Sequence, residues 1–394
     1  MHDAWMSMIL ARPLGILLRC LGTMSLAATL VAADGLPAPE AVLRPLLRAN
    51  DHYLQAVPDP GAPIVGRKVW PGNIWTRAVY LEGLLALHER TGDPRLLDWA
   101  HRWAEAHRWG LRKGPLTRNA DDQACGQAYL HLYRRDPRPE RLADLRLAIA
   151  AMRDSDRSDD WTWIDALQMA MPVFAGLGTT DQDPRLWERM HDLYRHTRDR
   201  EGGRGLFSAD HGLWWRDRDF LPPMTTPGGR PCFWSRGNGW VVAALVRTLQ
   251  ELPASAPHRD EYAAMLTTMC RALLPLQRPD GFWNVSLMDP TDHGGPELTG
   301  TALFVYGMAW GQRTGLLPAD EFQPALLRAW DAIVREGIMD DGRLAWVQGT
   351  GKQPSDGQPV TRDSRPDFDD FGLGCLLLAG TEVHRLACGP GSTP

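Results

Sequence analysis

Two kinds of apolar pattern alternate along the chain from about residue 39 onward. In the first, hydrophobic positions recur at helical spacing and leave a charged face. After Asp93-Pro94, the residues Leu96, Ala100, Trp103 and His107 share one side, while Arg95, Asp98, Arg102 and Glu105 lie elsewhere. Such a stripe predicts a helix that covers a core with one face. Similar stripes begin near Pro39, Pro139, Pro184, His258 and Glu321. Several open with a proline, which suits a first helical turn because the N–H it lacks has no partner there. In the second kind the chain is apolar nearly all round and rich in Gly and Ala, over about 74–90, 121–135, 162–177, 238–252, 298–314 and 370–386. A helix without a polar face must be enclosed on every side.

Six enclosed helices alternating with six amphipathic ones predict an all-α fold, an (α/α)6 barrel occupying 34–388 as one domain, with a short disordered tail at 389–394. The connections leading into the enclosed helices are long. They carry tight-turn and hairpin signals at Asp280-Gly281-Phe282-Trp283, at Asp341-Gly342-Arg343-Leu344 and between Gly205 and Asp217. Long loops and short hairpins are therefore expected to gather at the N-terminal ends of the inner helices, and a site is sought where loops are held by a rigid scaffold.

Composition narrows the function. A net charge of −5 with both signs interspersed offers no basic field, so nucleic acid is excluded as a partner. Seventeen tryptophans, many beside Gly, Asn, Arg or Asp, suit the faces of sugars as well as a helical core. Residues 1–33 read as an export signal: Arg12 and Arg19 precede an apolar stretch over 21–32 that closes on Val31-Ala32-Ala33. The expected location is periplasmic or secreted, with no membrane attachment after cleavage. Cys125, Cys232, Cys270, Cys375 and Cys388 remain, an odd number without CxxC spacing, which predicts mostly buried thiols and neither a disulfide framework nor a zinc site. No metal or other cofactor and no obligate protein partner are implied.

The starts of the enclosed helices bring polar and aromatic residues together: Trp75, Asp121-Asp122, Trp161-Thr162-Trp163-Ile164-Asp165, Trp234-Ser235-Arg236-Gly237-Asn238-Gly239-Trp240 and Glu297-Leu298-Thr299. Any one of these acids could simply cap a helix. Asp165 stands out for its apolar neighbours, in which a carboxyl resists ionising and can donate a proton. Asp122 is its expected partner, with capping of the second inner helix as the alternative. Trp75, Trp163, Arg236, Asn238, Trp240 and Thr299 are expected to line the pocket, and His211, Trp215 and Arg216 to form a wall from the preceding loop. Of the two arginines, Arg236 is expected to brace an acid and Arg216 to reach an anionic group on the substrate.

The stretches at 121–133, 161–172 and 234–240, followed by Gln277-Arg-Pro-Asp-Gly and Glu297-Leu-Thr-Gly-Thr-Ala, resemble the unsaturated glucuronyl and rhamnogalacturonyl hydrolases of glycoside hydrolase families 88 and 105, closer to the latter. The resemblance spans about 70–386, and Arg236-Gly-Asn-Gly-Trp is its most specific element. It implies an (α/α)6 barrel that needs no metal and acts on 4,5-unsaturated uronic acids at the non-reducing ends of lyase-generated oligosaccharides. It implies further that the acid matched by Asp165 protonates C4 of the enol ether and then activates water for C5, while the acid matched by Asp122 orients the substrate. One departure is Arg216 after Trp215, where rhamnogalacturonyl hydrolases commonly carry a histidine. Three other readings stay open: an inverting glycosidase that uses the same two aspartates on a saturated sugar, a barrel lyase or epimerase, and a carbohydrate-binding barrel without activity.

Overall fold

A computed structural model describes residues 35–66 and 68–389; the expected leader and the last five residues of the expected tail lie outside them. Among the described residues the outer helices are α1 (Pro39–Ala56), α3 (Pro94–Ala106), α6 (Ala143–Arg153), α8 (Arg185–Asp199), α10 (Arg259–Leu273) and α12 (Ala319–Ala332). The inner ones are α2 (Trp75–Thr91), the pair α4 (Ala120–Gln123) and α5 (Gly126–Tyr133), α7 (Asp165–Asp181), α9 (Ser235–Glu251), α11 (Leu298–Arg313) and α13 (Asp370–Cys388). The inner set closes a ring, α2 against α5, then α7, α9, α11, α13 and back to α2. This is the (α/α)6 barrel that the two apolar patterns predict.

The ring forms because its helices can bury every side. In α7 each residue from Asp165 to Gly178 is buried, whereas α8 buries only the stripe of Leu186, Arg189, Met190, His191, Leu193, Tyr194 and Thr197. Close approach needs glycine where backbones meet: a Cβ on Gly374 of α13 would sit 2.3 Å from the Val79 carbonyl oxygen of α2. The second inner helix, expected as one segment over 121–135, is divided. The chain tightens at Ala124-Cys125, where Gln127 N–H donates to the Ala124 carbonyl at 3.2 Å, and Gly126 lets Leu145 of α6 press close against the backbone.

Turns from inner to outer helices are as short as Gly92-Asp93, while the returns run over 57–74, 107–119, 154–164, 200–234, 274–297 and 333–369. These returns carry small antiparallel pairs: β1 (Ile64–Val65) with β2 (Val69–Trp70), β3 (Phe207–Ser208) with β4 (Leu213–Trp214), and β5 (Trp283–Asn284) with β6 (Pro296–Glu297). Asp280-Gly281 does form a tight turn, with Gly281 at φ +97° and Arg278 N–H donating to Phe282 at 2.9 Å. Cys125, Cys232, Cys270 and Cys375 are buried thiols without disulfides, and Cys388 is partly buried beside His384. Among the described residues no helix is long and apolar enough to cross a membrane.

Candidate active site

At the N-terminal ends of the inner helices, a cavity of about 190 Å³ is lined by Trp75, Asp121, Trp163, Asp165, Met169, Arg216, Trp234, Arg236, Trp240, Thr350 and Gly351. Each aromatic comes from a helix start or from the loop just before it. Trp75 opens α2 and meets Trp240 of α9 edge-on, with ring centroids 6.2 Å apart.

Asp165 is the first residue of α7 and is 8% exposed. An antiparallel bridge pairs Trp163 with Asp217, and Ile164 N–H donates to the Arg216 carbonyl at 2.9 Å. That pairing delivers the Arg216 side chain to the acid: its Nε donates to Asp165 Oδ2 at 3.0 Å and its Nη1 to Asp217 Oδ2 at 2.7 Å. The apolar neighbours of Asp165 in sequence are thus joined by a cation, which comes from a segment fifty-one residues away.

The acid that faces Asp165 across the cavity is Asp121, and Asp122 is not in the lining. Asp122 is fully buried behind it, with Oδ1 accepting from Arg112 Nε at 2.5 Å and Oδ2 from Thr117 Oγ1 at 2.8 Å. Nor does Asp122 cap its helix, since the Asn119 side chain accepts from the Asp122 N–H. Burial first, and then the charge of Asp165, push the Asp121 carboxyl up to about 6, against the opposing pull of Arg112 and Arg216. Of the two neighbouring aspartates, Asp121 is the one that lines the cavity with Asp165.

Arg236, 1% exposed, does not brace an acid as expected. It lies over the rings of Trp234 and Phe371, and its guanidinium donates to the carbonyl oxygens of Gln348 at 2.7 Å and Gly349 at 2.6 Å. Trp234 Nε1 donates to Gln348 Oε1 at 2.8 Å. Together these hold the loop that brings Thr350 and Gly351 to the cavity. Burial lowers the proton affinity of Arg236, opposed chiefly by Glu297 and Asp165.

Four expected lining residues lie outside the cavity. Both polar ends of Asn238 are spent on the backbone of Trp214, accepting from its N–H at 2.9 Å and donating to its carbonyl at 3.0 Å. Thr299 donates to Glu297, whose carboxylate caps α11. His211 pairs with Ser208, and Trp215 packs on Phe233. These side chains shape the loops that carry the site. The sequence reading passed over Asp121, Trp234 and Met169 although they stood in its motifs, and it carried no signal for Thr350 and Gly351.

Other cavities are larger. One of about 410 Å³ at the opposite end of the barrel is lined by Arg134, Arg247, Arg313 and Arg385 with Glu82, Glu251 and Glu382. Its acids and bases pair with one another, as in Arg134–Glu251 and Arg313–Glu382, and it offers no wall of tryptophans. Among the described residues one group has metal-ligand proximity, His191, His258 and Glu261, between α8 and α10. The two imidazoles stack at 3.6 Å and 2°, so their in-plane lone pairs run parallel instead of converging, and Arg198 holds Glu261.

Comparison with known proteins agrees with this architecture. The chain is 30% identical over 332 residues to the unsaturated 3S-rhamnoglycuronyl hydrolase of Formosa agariphila, covering 79% of this chain and 84% of that protein. It is 32% identical over 334 residues to the protein of the same name from an Alteromonas species, covering 79% and 77%. The solved structure of a family 88 glycosyl hydrolase from Bacteroides vulgatus superposes with a TM-score of 0.80 at 31% identity, over 89% of this chain and 99% of that one. Residues 51–387 match the family profile itself, and the chain belongs to Glycosyl Hydrolase Family 88.

Proposed function

We propose that this protein removes a 4,5-unsaturated uronic acid from the non-reducing end of lyase-generated oligosaccharides. The observation that carries this reading is the cavity in which two carboxylates, Asp121 and Asp165, meet Arg216 between tryptophan walls. The names of the two relatives point to a rhamnoglycuronyl oligosaccharide as the first substrate to try.

In this reading Asp121, raised by burial and by the charge of Asp165, keeps its proton into the range near pH 6. Asp165 passes a proton to C4 of the C4=C5 double bond, and positive charge develops at C5 and the ring oxygen. Water adds its oxygen at C5 and returns a proton to the Asp165 carboxylate, which restores the acid. The hemiketal at C5 then opens to a ketone by breaking the C5–O5 bond, which leaves a hemiacetal at C1, and this collapses to an aldehyde as the neighbouring sugar leaves with its glycosidic oxygen as a hydroxyl. Trp75 and Trp163, both partly exposed, supply flat faces for the sugar ring, and the buried Trp234 and Trp240 limit the water around the acid. In the inverting-glycosidase reading the base would fall to Asp121, because both oxygens of Asp122 are engaged behind the cavity by Arg112 and Thr117.

Export rests on the leader pattern at 1–33, and the mass of the secreted N-terminus tests it. The activity is tested by offering one disaccharide in unsaturated and saturated forms. Cleavage of the unsaturated form alone supports the reading; cleavage of the saturated form at a similar rate rejects it.

A further inference from the structure

Arg216 is committed twice, and its third nitrogen is left over. Nε donates to Asp165 at 3.0 Å, Nη1 donates to Asp217 at 2.7 Å, and Nη2 makes no hydrogen bond to the protein among the described residues. Asp217 is a fixed anchor. Its Oδ1 accepts from Asp219 N–H at 2.9 Å to cap a turn of 3-10 helix, and its backbone is bridged to Trp163. Asp165 is the more replaceable partner. A carboxylate binds arginine most strongly through two parallel N–H groups, and the Nε/Nη2 edge is the one not held by Asp217. A ligand carboxylate that takes this edge must draw Nε away from Asp165.

We propose that Arg216 is a counter-ion switch: the carboxylate of the arriving uronic acid takes the Nε/Nη2 edge of Arg216, releases Asp165 from its ion pair, and so causes Asp165 to take up the proton it then delivers. The inference rests on the function proposed above and adds the route by which the acid is loaded. The charged groups around Asp165 make the direction plain. Asp121 faces it from α4, Arg216 and Asp217 from the loop before α9, and Arg236 from the start of α9, with the Arg112–Asp122 pair behind Asp121. Removing Arg216 from Asp165 leaves two carboxylates opposed, with Arg236 occupied by loop carbonyls, and bringing a third carboxylate into the cavity adds to the repulsion. Each change favours the protonated acid. The same cation on the substrate carboxylate would oppose the positive charge that later forms at C5. Its contribution therefore lies in substrate selection and in loading the proton.

The test compares pH profiles of kcat/KM, which report the free enzyme, with those of kcat, which report the complex. With an unsaturated disaccharide, the wild-type loss of kcat on the alkaline side should lie about one pH unit or more above the loss of kcat/KM, the interval that a displaced ion pair produces. Arg216→Gln should raise KM about tenfold or more and narrow the interval between the two losses, because its free enzyme already lacks the counter-ion and only the repulsion by the substrate carboxylate remains. Arg216→Lys, which keeps charge without the two-pronged edge, should raise KM and narrow the gap. The methyl ester of the same disaccharide, offered to the wild-type protein, needs no variant and should show no gap. Coincident losses in the wild type, a gap in Arg216→Gln as wide as that of the wild type, or a gap that persists with the ester would overturn the switch. Absence of turnover of any unsaturated uronide by the wild type is a separate outcome, which rejects the proposed function itself.

Discussion

Arg236 grips the backbone of Gln348: its Nη1 donates to the Gln348 carbonyl at 2.7 Å, from a guanidinium sandwiched between Trp234 and Phe371. The second residue of α9 thereby fixes the loop over 348–351 as one side of the cavity. Arg236→Lys cannot reproduce both carbonyl contacts and leaves at least one buried acceptor without a donor, which costs about 1–3 kcal/mol. We expect a lowered Tm and a raised KM, with kcat less affected because no acid is touched. Thermal unfolding and steady-state kinetics on one variant check this, and a kcat loss at unchanged KM and Tm would place Arg236 in the chemistry instead.

Asp121 links pH to stability. Its folded-state carboxyl is raised to about 6 from an ordinary value of 3.8. A raised acid contributes its full stability below about pH 4, and that contribution is lost as pH rises through about 6, when the ionised form must be kept beside Asp165. Asp121→Asn should therefore stabilise the protein at pH 8, on the order of 2 kcal/mol, and change little at pH 4. It should also slow turnover by about 10²-fold or more, since the pair loses its second acid. Melting curves at the two pH values distinguish this from a merely structural residue, whose loss would destabilise at both.

Asp122 should behave in the opposite way. Asp122→Asn removes the charge that pairs with Arg112 and leaves a partly buried guanidinium without its counter-ion. We expect a stability loss of about 2–4 kcal/mol across neutral pH. The folded fraction should keep a pH profile like that of the parent. Denaturant unfolding, together with activity corrected for the folded fraction, measures both; a stable variant with a shifted pH profile would return Asp122 to the catalytic pair.

The contrast between these neighbours shows what the sequence could and could not yield. The barrel was legible because all-round burial in α7 and one-sided burial in α8 leave different apolar patterns. The cavity was legible where a residue opens an inner helix, as Trp75, Asp165, Arg236 and Trp240 do or nearly do. Which of two adjacent acids faces the cavity was not. Successive helical residues point about 100° apart, and the phase is set by Arg112, which lies on another loop. Asn238 and Thr299 read like site residues because amides and hydroxyls that bind backbone are the same groups that bind sugars. Thr350 and Gly351 reach the cavity through long-range contacts to their loop, from Arg236 and Trp234 of the fourth inner helix start and from Asp367 to Thr350.

The central claim is that Asp165 gives a proton to an enol-ether carbon. Its most direct test follows the ultraviolet absorbance of the conjugated double bond when an unsaturated rhamnoglycuronyl disaccharide meets the wild-type protein and Asp165→Asn. The account predicts that the band disappears with the wild type and fades at least about 10²–10⁴-fold more slowly with the variant, which keeps the shape of the side chain but has no proton to transfer. A variant that removes the band within about threefold of the wild-type rate, far short of the loss expected for a general acid, would contradict it.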